Sequence, residues 1–503
     1  MKRLAAFMTY YMRRPAIMRQ HLGDAARTLS DRGVKSLLAD VRSVSRKIAE
    51  DRRLQQVAAA HPALRVPARP AQRPPGGTIL VVVHDMALGG AQQVAQSFAA
   101  WLARQGRYDV RIVAMRDGPF RAHFEAVAPV FCIADREIEG PLAVTDALAA
   151  WAGPEMRAIL VNSVASGRFF DYWPAATPAV AFVHEMPRIL ARHEAGFAQI
   201  ARRASRVLGG SAAVRDTLAG RPGLPPLSQL YPFVEDEAAH PHAMAEPNAS
   251  AEPNAEPNAE PNAGPNVVAE PDPPAQPDPP VQPHASARRQ AARAALQAGP
   301  NEILICGCGV LHWRKAPKRF IDVAQRALAR STPPGAKLRF VWIGGGPDLD
   351  ACRRLVRRKG MEPHVRFTGY RADATELLRA ADIFLLPSVE DAFPLVAMHA
   401  ALAQAPILCF EGAGGTPELV RRGCGAILPN GDVTAMADAV CAYAADPARR
   451  AREGAVGRQI VAQEFTVSAL GPVLLGHLLS VAARPDAQAA AAPHPAAVQR
   501  IAG

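Results

Sequence analysis

Apolar residues along this chain fall in short runs rather than long stretches. Thr78 to His84, Asp109 to Met115, Val130 to Ala134, Ile159 to Ser163, Ala179 to Glu185 and Val207 to Ser211 form one set. Glu302 to Gly309, Leu338 to Gly344, Val365 to Tyr370, Asp382 to Ser388, Ile407 to Phe410 and Ala426 to Leu428 form a second. Runs of this length suit strands buried on both faces, and the stretches between them carry apolar residues at helical spacing. Strand and helix therefore alternate through each set, which predicts an α/β protein with two doubly wound, Rossmann-like domains built on parallel sheets. Ligands of such sheets gather beyond the carboxyl ends of the strands, so two domains facing each other would share a cleft there.

Composition sets the boundaries. From 236 to 287 the chain repeats Glu-Pro-Asn-Ala and then Pro-Asp-Pro-Pro, a composition that cannot bury enough apolar area to fold and that reads as a disordered linker. It joins an N-terminal domain, 77–235, to a C-terminal domain, 288–482. Residues 54 to 77 drift into Pro, Ala and Arg and read as a second linker, while the tail 483–503, rich in Ala and Pro, reads as disordered.

Charge is unevenly placed. Residues 1 to 53 hold 13 Lys and Arg against 5 Asp and Glu, so +8 of the formal +12 lies in this extension. Segment 1–76 thus reads as a basic, helix-prone extension followed by linker. With Phe7, Met8, Tyr10, Tyr11 and Met12 it suits an anionic membrane surface, or equally solvent or a partner helix. The basic residues lack further interleaved aromatics, so no nucleic-acid partner is expected. No run approaches the roughly 18 apolar residues of a membrane span, and no cleavable leader is read after Lys2 and Arg3. The expected location is the cytoplasm, peripheral on the inner face of the cell membrane if the extension binds there. Seven cysteines without a paired CxxC spacing read as reduced structural thiols. Cys306 and Cys308 share one strand face, but two ligands do not make a zinc site.

Candidate chemistry concentrates in Phe384 to Ala401, FLLPSVEDAFPLVAMHAA. A buried strand leaves the sheet at Ser388 to Ala392, and a helix follows with Pro394 expected at its first position, where a missing N–H costs nothing. The free N–H groups of that first turn suit an anion, while Glu390 and Asp391 could accept hydrogen bonds from sugar hydroxyls.

This segment resembles the acid-x7-acid signature of family 4 of the retaining, GT-B-fold glycosyltransferases, the glycosyl transferases group 1. Aligned on Ser388 and on Phe393-Pro394, the first acid falls on Asp391, with Glu390 before it, and the second on His399. The resemblance implies that Asp391 and Glu390 face the transferred sugar, that Phe393, Pro394 and Leu395 lie at the donor, and that position 399, usually Glu, holds the ribose. A neutral imidazole can hydrogen-bond a hydroxyl but brings no negative charge. His399 also falls with Leu395, Met398 and Leu402 at helical spacing, where it would be a core histidine.

Other motifs follow in the family's order. Gly309 precedes VLHWRKAP, similar to the loop whose basic residues hold the donor diphosphate. The usual Arg after the glycine is Val310 here, Lys315 matches the later Lys, and Arg314 is read as the substitute charge. Gly345, in Trp342 to Pro347, permits close approach of backbone to ligand, and Pro347 is expected to start the next helix. Asp348-Leu349-Asp350 imitates a metal-binding DxD but falls in a helix first turn, where acids favour the dipole. Tyr370 sits where the family lines its base pocket. Gly414 to Glu418 resembles the GG-x-P-E turn, with Thr416 expected as N-cap and Glu418 implied at the donor. In the first domain Gly89 and Gly90 resemble the loop that closes over acceptor and phosphate. His184 and Glu185 match the His-Glu pair placed at the cleft, beside the strand ending in Asn162 and Ser163.

The resemblance implies transfer of a sugar from a nucleotide-diphosphate donor to a glycan or lipid-linked acceptor, with retained configuration, no metal or other cofactor, and a role in bacterial-type surface polysaccharide synthesis. The departures at Val310 and His399 leave open a scaffold that kept the fold and lost the chemistry; a GT-B nucleotide-sugar epimerase is a further alternative, less favoured because the ordered family motifs match better. A phosphorylase lacks an evident lysine for a covalent cofactor.

Overall fold

The computed structural model describes residues 53–61, 64, 74–87, 89–236, 283–330 and 337–483. The basic extension 1–52, the interior of the Pro-rich tract and the tail beyond 483 lie outside the described residues.

The first domain carries seven parallel strands: β1 (Thr78–Val83), β2 (Asp109–Ala114), β3 (Val130–Cys132), β4 (Met156–Asn162), β5 (Ala179–Val183), β6 (Arg206–Gly209) and β7 (Leu227–Gln229). They lie in the order β3-β2-β1-β4-β5-β6-β7. The second carries six: β8 (Glu302–Cys308), β9 (Lys337–Ile343), β10 (Val365–Phe367), β11 (Ile383–Leu386), β12 (Ile407–Phe410) and β13 (Gly425–Leu428), in the order β10-β9-β8-β11-β12-β13. All the runs read as strands are strands, most of them shortened at the carboxyl end where the chain turns into a loop. β7 escapes the pattern because Leu227, Ser228 and Gln229 are each only half-buried and include one apolar residue.

Both sheets are sandwiched by helices, which explains the continuous apolar strands: Ile79 to Val83 are each 0% exposed. Strand order reverses where β1 meets β4 in the first domain and where β8 meets β11 in the second, with Val82 opposite Val161 and Phe384 opposite Cys306. These two switch points open crevices at the carboxyl ends, where such sheets bind ligands.

The chain crosses between the domains twice. Val234 N–H donates to Phe465 O at 2.9 Å and Val467 N–H to Val234 O at 2.8 Å. The final helix, Val467–Ala482, then returns to the first domain, where Gly471 meets the indole of Trp101. The domain boundary expected at 482 therefore places this helix with the wrong sheet.

Two segments read as linker are ordered parts of the fold. Helix 53–60 buries Val57 and Ala58, and the His61 ring packs edge-on against Phe120 at 5.6 Å. Its alanines belong to a tract biased toward Pro, Ala and Arg, yet alanine is also the strongest helix former. Helix Pro283–Ala295 begins ahead of the boundary expected at 288. It is held to the second domain by its arginines: Arg288 pairs with Glu376 at 2.6 Å, and Arg289 and Arg293 share Asp382 at 2.6 and 3.0 Å.

Candidate active site

Because β8 and β11 are neighbours, their carboxyl-end loops lie side by side, and the two motifs of the second domain meet. Lys315 Nζ donates to Asp391 Oδ2 at 2.5 Å, and Ser388 Oγ donates to the same oxygen at 3.2 Å. The Lys315 and Asp391 side chains are only 13% and 11% exposed, so each charge relies on the other in place of water. Val389 N–H donates to Arg314 O at 2.7 Å, and Asp391 N–H to Ala413 O at 2.7 Å, fixing the acidic loop from both sides. Gly414 makes the second contact possible: its φ is +134°, and a Cβ there would strike the carbonyl oxygen of Asp391. Arg314 is half-buried with its Nε unpartnered, whereas Val310 is 44% exposed and supplies no charge.

The helix that follows starts one residue later than expected. It runs Leu395–Leu402, and Pro394, with ψ 128°, is its extended N-cap. Thr416 likewise is not a cap: helix Thr416–Val420 has Gly415 before it, and the Thr416 hydroxyl is buried without a hydrogen bond. Pro347 precedes rather than starts helix Leu349–Arg358, whose N-cap position is Asp348. In each case a proline or small polar residue marked the helix start to within a residue or two.

Several candidate residues reach across to the first domain. Glu390 accepts from Arg188 N–H at 3.2 Å, with the Arg188 guanidinium 3.7 Å away. The guanidiniums of Arg188 and Arg192 lie 5.4 and 5.9 Å from the ring of Trp313, in the phosphate-loop segment. Glu418 accepts from Ala212 N–H at 3.1 Å, Ala213 N–H at 3.3 Å and Tyr231 OH at 2.8 Å. It thus completes the N-terminal turn of helix Ala212–Ala219, which Ser211 already caps. Burial and then the Glu418 carboxylate push the Tyr231 phenol up to about 12. The ring of Phe393 stacks on Phe465 at 5.7 Å and tilts against Tyr231 at 5.1 Å. Glu418 and Phe393 therefore spend their side chains on the domain junction.

The first domain supplies the facing wall from the ends of β1, β4 and β5. Asn162 Nδ2 donates to Ala91 O at 2.8 Å, which turns its Oδ1 toward His184 Nε2 at 2.9 Å. Nε2 must then carry the proton and Nδ1 the lone pair. Burial holds the His184 pKa at about 4, so the imidazole is neutral at physiological pH. Glu185 turns inward: it accepts from Val164 N–H at 3.1 Å, His184 N–H at 2.9 Å and the Ser163 hydroxyl, holding Ser163 at φ +83°. Gly89 is the N-cap of helix Gly90–Arg104, whose first residue lies beside Leu395 of the other domain. Within the same first turn, Gln92 bonds His84 Nε2 at 2.9 Å and Asp85 Oδ1 at 2.5 Å.

Between the domains lies a cavity of about 770 Å³. Tyr370, Leu395 and His399 line one side, helix 53–60 and Gln93, Gln96, Ser97 and Glu235 the other. Gly345 underlies Tyr370, and a Cβ there would enter the phenol ring. His399 is half-buried and faces this cavity, while its helical neighbour Met398 is 0% exposed. Sequence reading missed Arg188, Gln92 and the whole of helix 53–60. Single polar residues near a glycine loop or a proline carry no spacing signal, and only the packed fold gives them partners. All seven cysteines are free, and burial pushes the Cys132 and Cys308 thiols to about 12.

Residues 302–446 match the family described as Glycosyl transferases group 1. Over 174 residues the chain is 34% identical to D-inositol 3-phosphate glycosyltransferase of Nocardia farcinica, covering 33% of this chain and 38% of that protein. Over 143 residues it is 32% identical to an exopolysaccharide phosphotransferase of Streptomyces coelicolor, covering 28% and 15%. The chain thus spans well under half the length of these curated relatives. Among solved structures, Anabaena HepE in complex with UDP and glucose superposes with a TM-score of 0.59 at 19% identity, covering 80% of this chain and 100% of that one. That likeness is one of fold: two doubly wound domains across a cleft, the GT-B arrangement.

Proposed function

We propose that this chain, whose residues 302–446 match the glycosyl transferases group 1 family, transfers a sugar from a nucleotide-diphosphate donor to an acceptor bound on the first domain. The observation that carries this reading is the Lys315–Asp391 pair at the β8 and β11 switch point. Cation and carboxylate stand where a sugar diphosphate presents its two unlike ends. On binding, the diphosphate takes Lys315, the unpartnered Arg314 Nε and the nearby backbone N–H groups. Asp391, released from the ammonium, accepts from the sugar hydroxyls. His184, neutral and with its Nε2–H held by Asn162, leaves Nδ1 to accept from a hydroxyl of the transferred sugar or the acceptor without adding charge.

The chemistry proposed is retaining and metal-independent, with the leaving phosphate helping to deprotonate the acceptor hydroxyl. The protein then contributes position and charge stabilisation in a site from which water is expelled. The acceptor class is a glycan or a lipid-linked sugar, in surface polysaccharide synthesis at the inner face of a membrane. Among the described residues no helix is long and apolar enough to cross a membrane.

Exposed Val310 and the histidine at 399 favour a second reading, a scaffold without turnover. Asp391→Asn separates the two. In the enzyme it lowers kcat/KM for sugar transfer by about 10²- to 10³-fold, the cost of one well-placed polar group at the reacting centre. A wild type that releases no nucleoside diphosphate from any nucleotide sugar, in the presence of oligosaccharide and lipid-linked acceptors, supports the scaffold.

A further inference from the structure

After β7 the chain runs through Phe233 and Val234 to Glu235, which lines the interdomain cavity from the first-domain side. Glu235 is 7% exposed, and neither carboxylate oxygen takes a hydrogen bond of full geometry, the Ser97 hydroxyl giving it only a loose one. The Arg104 guanidinium approaches only to 3.8 Å. On the same wall the Nε2 of Gln96 is buried and also unpartnered. Buried polar groups are nearly always satisfied, and an unpartnered carboxylate costs more than a neutral group. Burial pushes the Glu235 carboxyl above the usual range, with Ser97 and Arg104 acting in the opposite direction. Two acceptors and a donor thus lie buried in one wall of a cavity whose other wall holds Tyr370 and His399.

We infer that Glu235 and Gln96 read the base of the donor and that the base is guanine. The inference rests on the reading of this cavity as a nucleotide-sugar site. Guanine presents two adjacent N–H donors, N1–H and the exocyclic amine, next to the O6 acceptor. A carboxylate meets the two donors with both oxygens, and an amide N–H meets O6. Uracil offers one N–H between two carbonyls. Adenine and cytosine offer an amine beside a ring acceptor, which would face a carboxylate oxygen with a lone pair. Among the common bases guanine alone satisfies all three groups, and it removes the cost of burying them empty. Helix 53–60 closes the outer side of this cavity, so the base would be enclosed by a segment that precedes both sheets.

Calorimetric titration of the full chain with GDP, UDP, ADP and CDP tests this. GDP is expected to bind at least about 10-fold tighter than the others, the discrimination typical of one bidentate base contact. Glu235→Gln is expected to erase that preference by weakening GDP while its melting temperature stays at or above that of the wild type, since a buried charge whose nearest cation stands 3.8 Å away is gone. The wild-type preference decides the matter even where the variant misfolds. Equal affinity for GDP and UDP, or a folded Glu235→Gln that keeps the GDP preference, overturns the base assignment and leaves the transferase reading standing. A wild type that binds no nucleotide overturns the transferase reading, and the base assignment with it.

Discussion

Lys315 and Asp391 come from loops 76 residues apart, and their pairing is what turns two weak motifs into one site. Both residues were legible in the sequence, because a basic residue after one strand and an acid after another mark the carboxyl ends of a doubly wound sheet. The roles of Glu418 and Phe393 were not legible, since a motif fixes their position in the chain while the neighbouring domain decides what they touch. His184 offers a test at this scale. Its folded pKa of about 4 lies below the ordinary 6.5 because burial disfavours the cation. The unfolded chain therefore binds the proton more readily, and the stability tied to neutral His184 is complete above about pH 6.5 and lost as pH falls toward 4. Protonation at this position disfavours the folded wild type by up to about 3 kcal/mol at low pH. His184→Gln removes that term, so thermal melts should show wild type and variant converging as pH falls from 6.5 to 4. A gap independent of pH would mean the imidazole titrates normally.

At the scale of elements, strands were more legible than helix starts. Runs such as Ile79 to Val83, buried on both faces, leave no polar alternation to misread. Helix starts shifted at Pro394, Thr416 and Pro347 because proline is tolerated both at the first helical position and just before it. Helix 53–60 stayed hidden because only Val57 and Ala58 are buried, too few for a periodic stripe. The junction depends on a cap donated in trans by an element of the other domain. Glu418→Ala should leave Ala212 N–H, Ala213 N–H and Tyr231 OH without their acceptor. It is expected to lower stability by about 1 to 2 kcal/mol, as for loss of a helix cap or a buried acceptor. The denaturant midpoint measures this, and an unchanged midpoint would show that water replaces the carboxylate.

For the whole molecule, two switch points facing one another place anion-binding loops of the second domain opposite polar strand ends of the first. The facing arrangement of the two doubly wound domains was implied by the family resemblance, and the domains themselves were legible from alternation. The way the last helix returns to the first domain was not, because its sequence says only that it is apolar. The +8 charge of residues 1–53 makes a separate prediction about the molecule's surroundings. The full chain should pellet with anionic vesicles at low salt and lose this on deletion of those residues, because basic segments gain about 1 kcal/mol per charge near such a surface. Pelleting that survives the deletion would place the contact elsewhere.

The central claim is that the cleft holds a nucleotide diphosphate on Lys315 and Arg314. Calorimetric titration of wild type and Lys315→Ala with a panel of nucleoside diphosphates, in EDTA and then in Mg²⁺, tests it most directly. The account predicts that wild type binds at least one of them with the same affinity in both buffers, and that Lys315→Ala binds it about 10-fold or more weakly, the loss of one charge-assisted phosphate contact. Binding of none by the wild type, or unchanged binding by the variant, would contradict it.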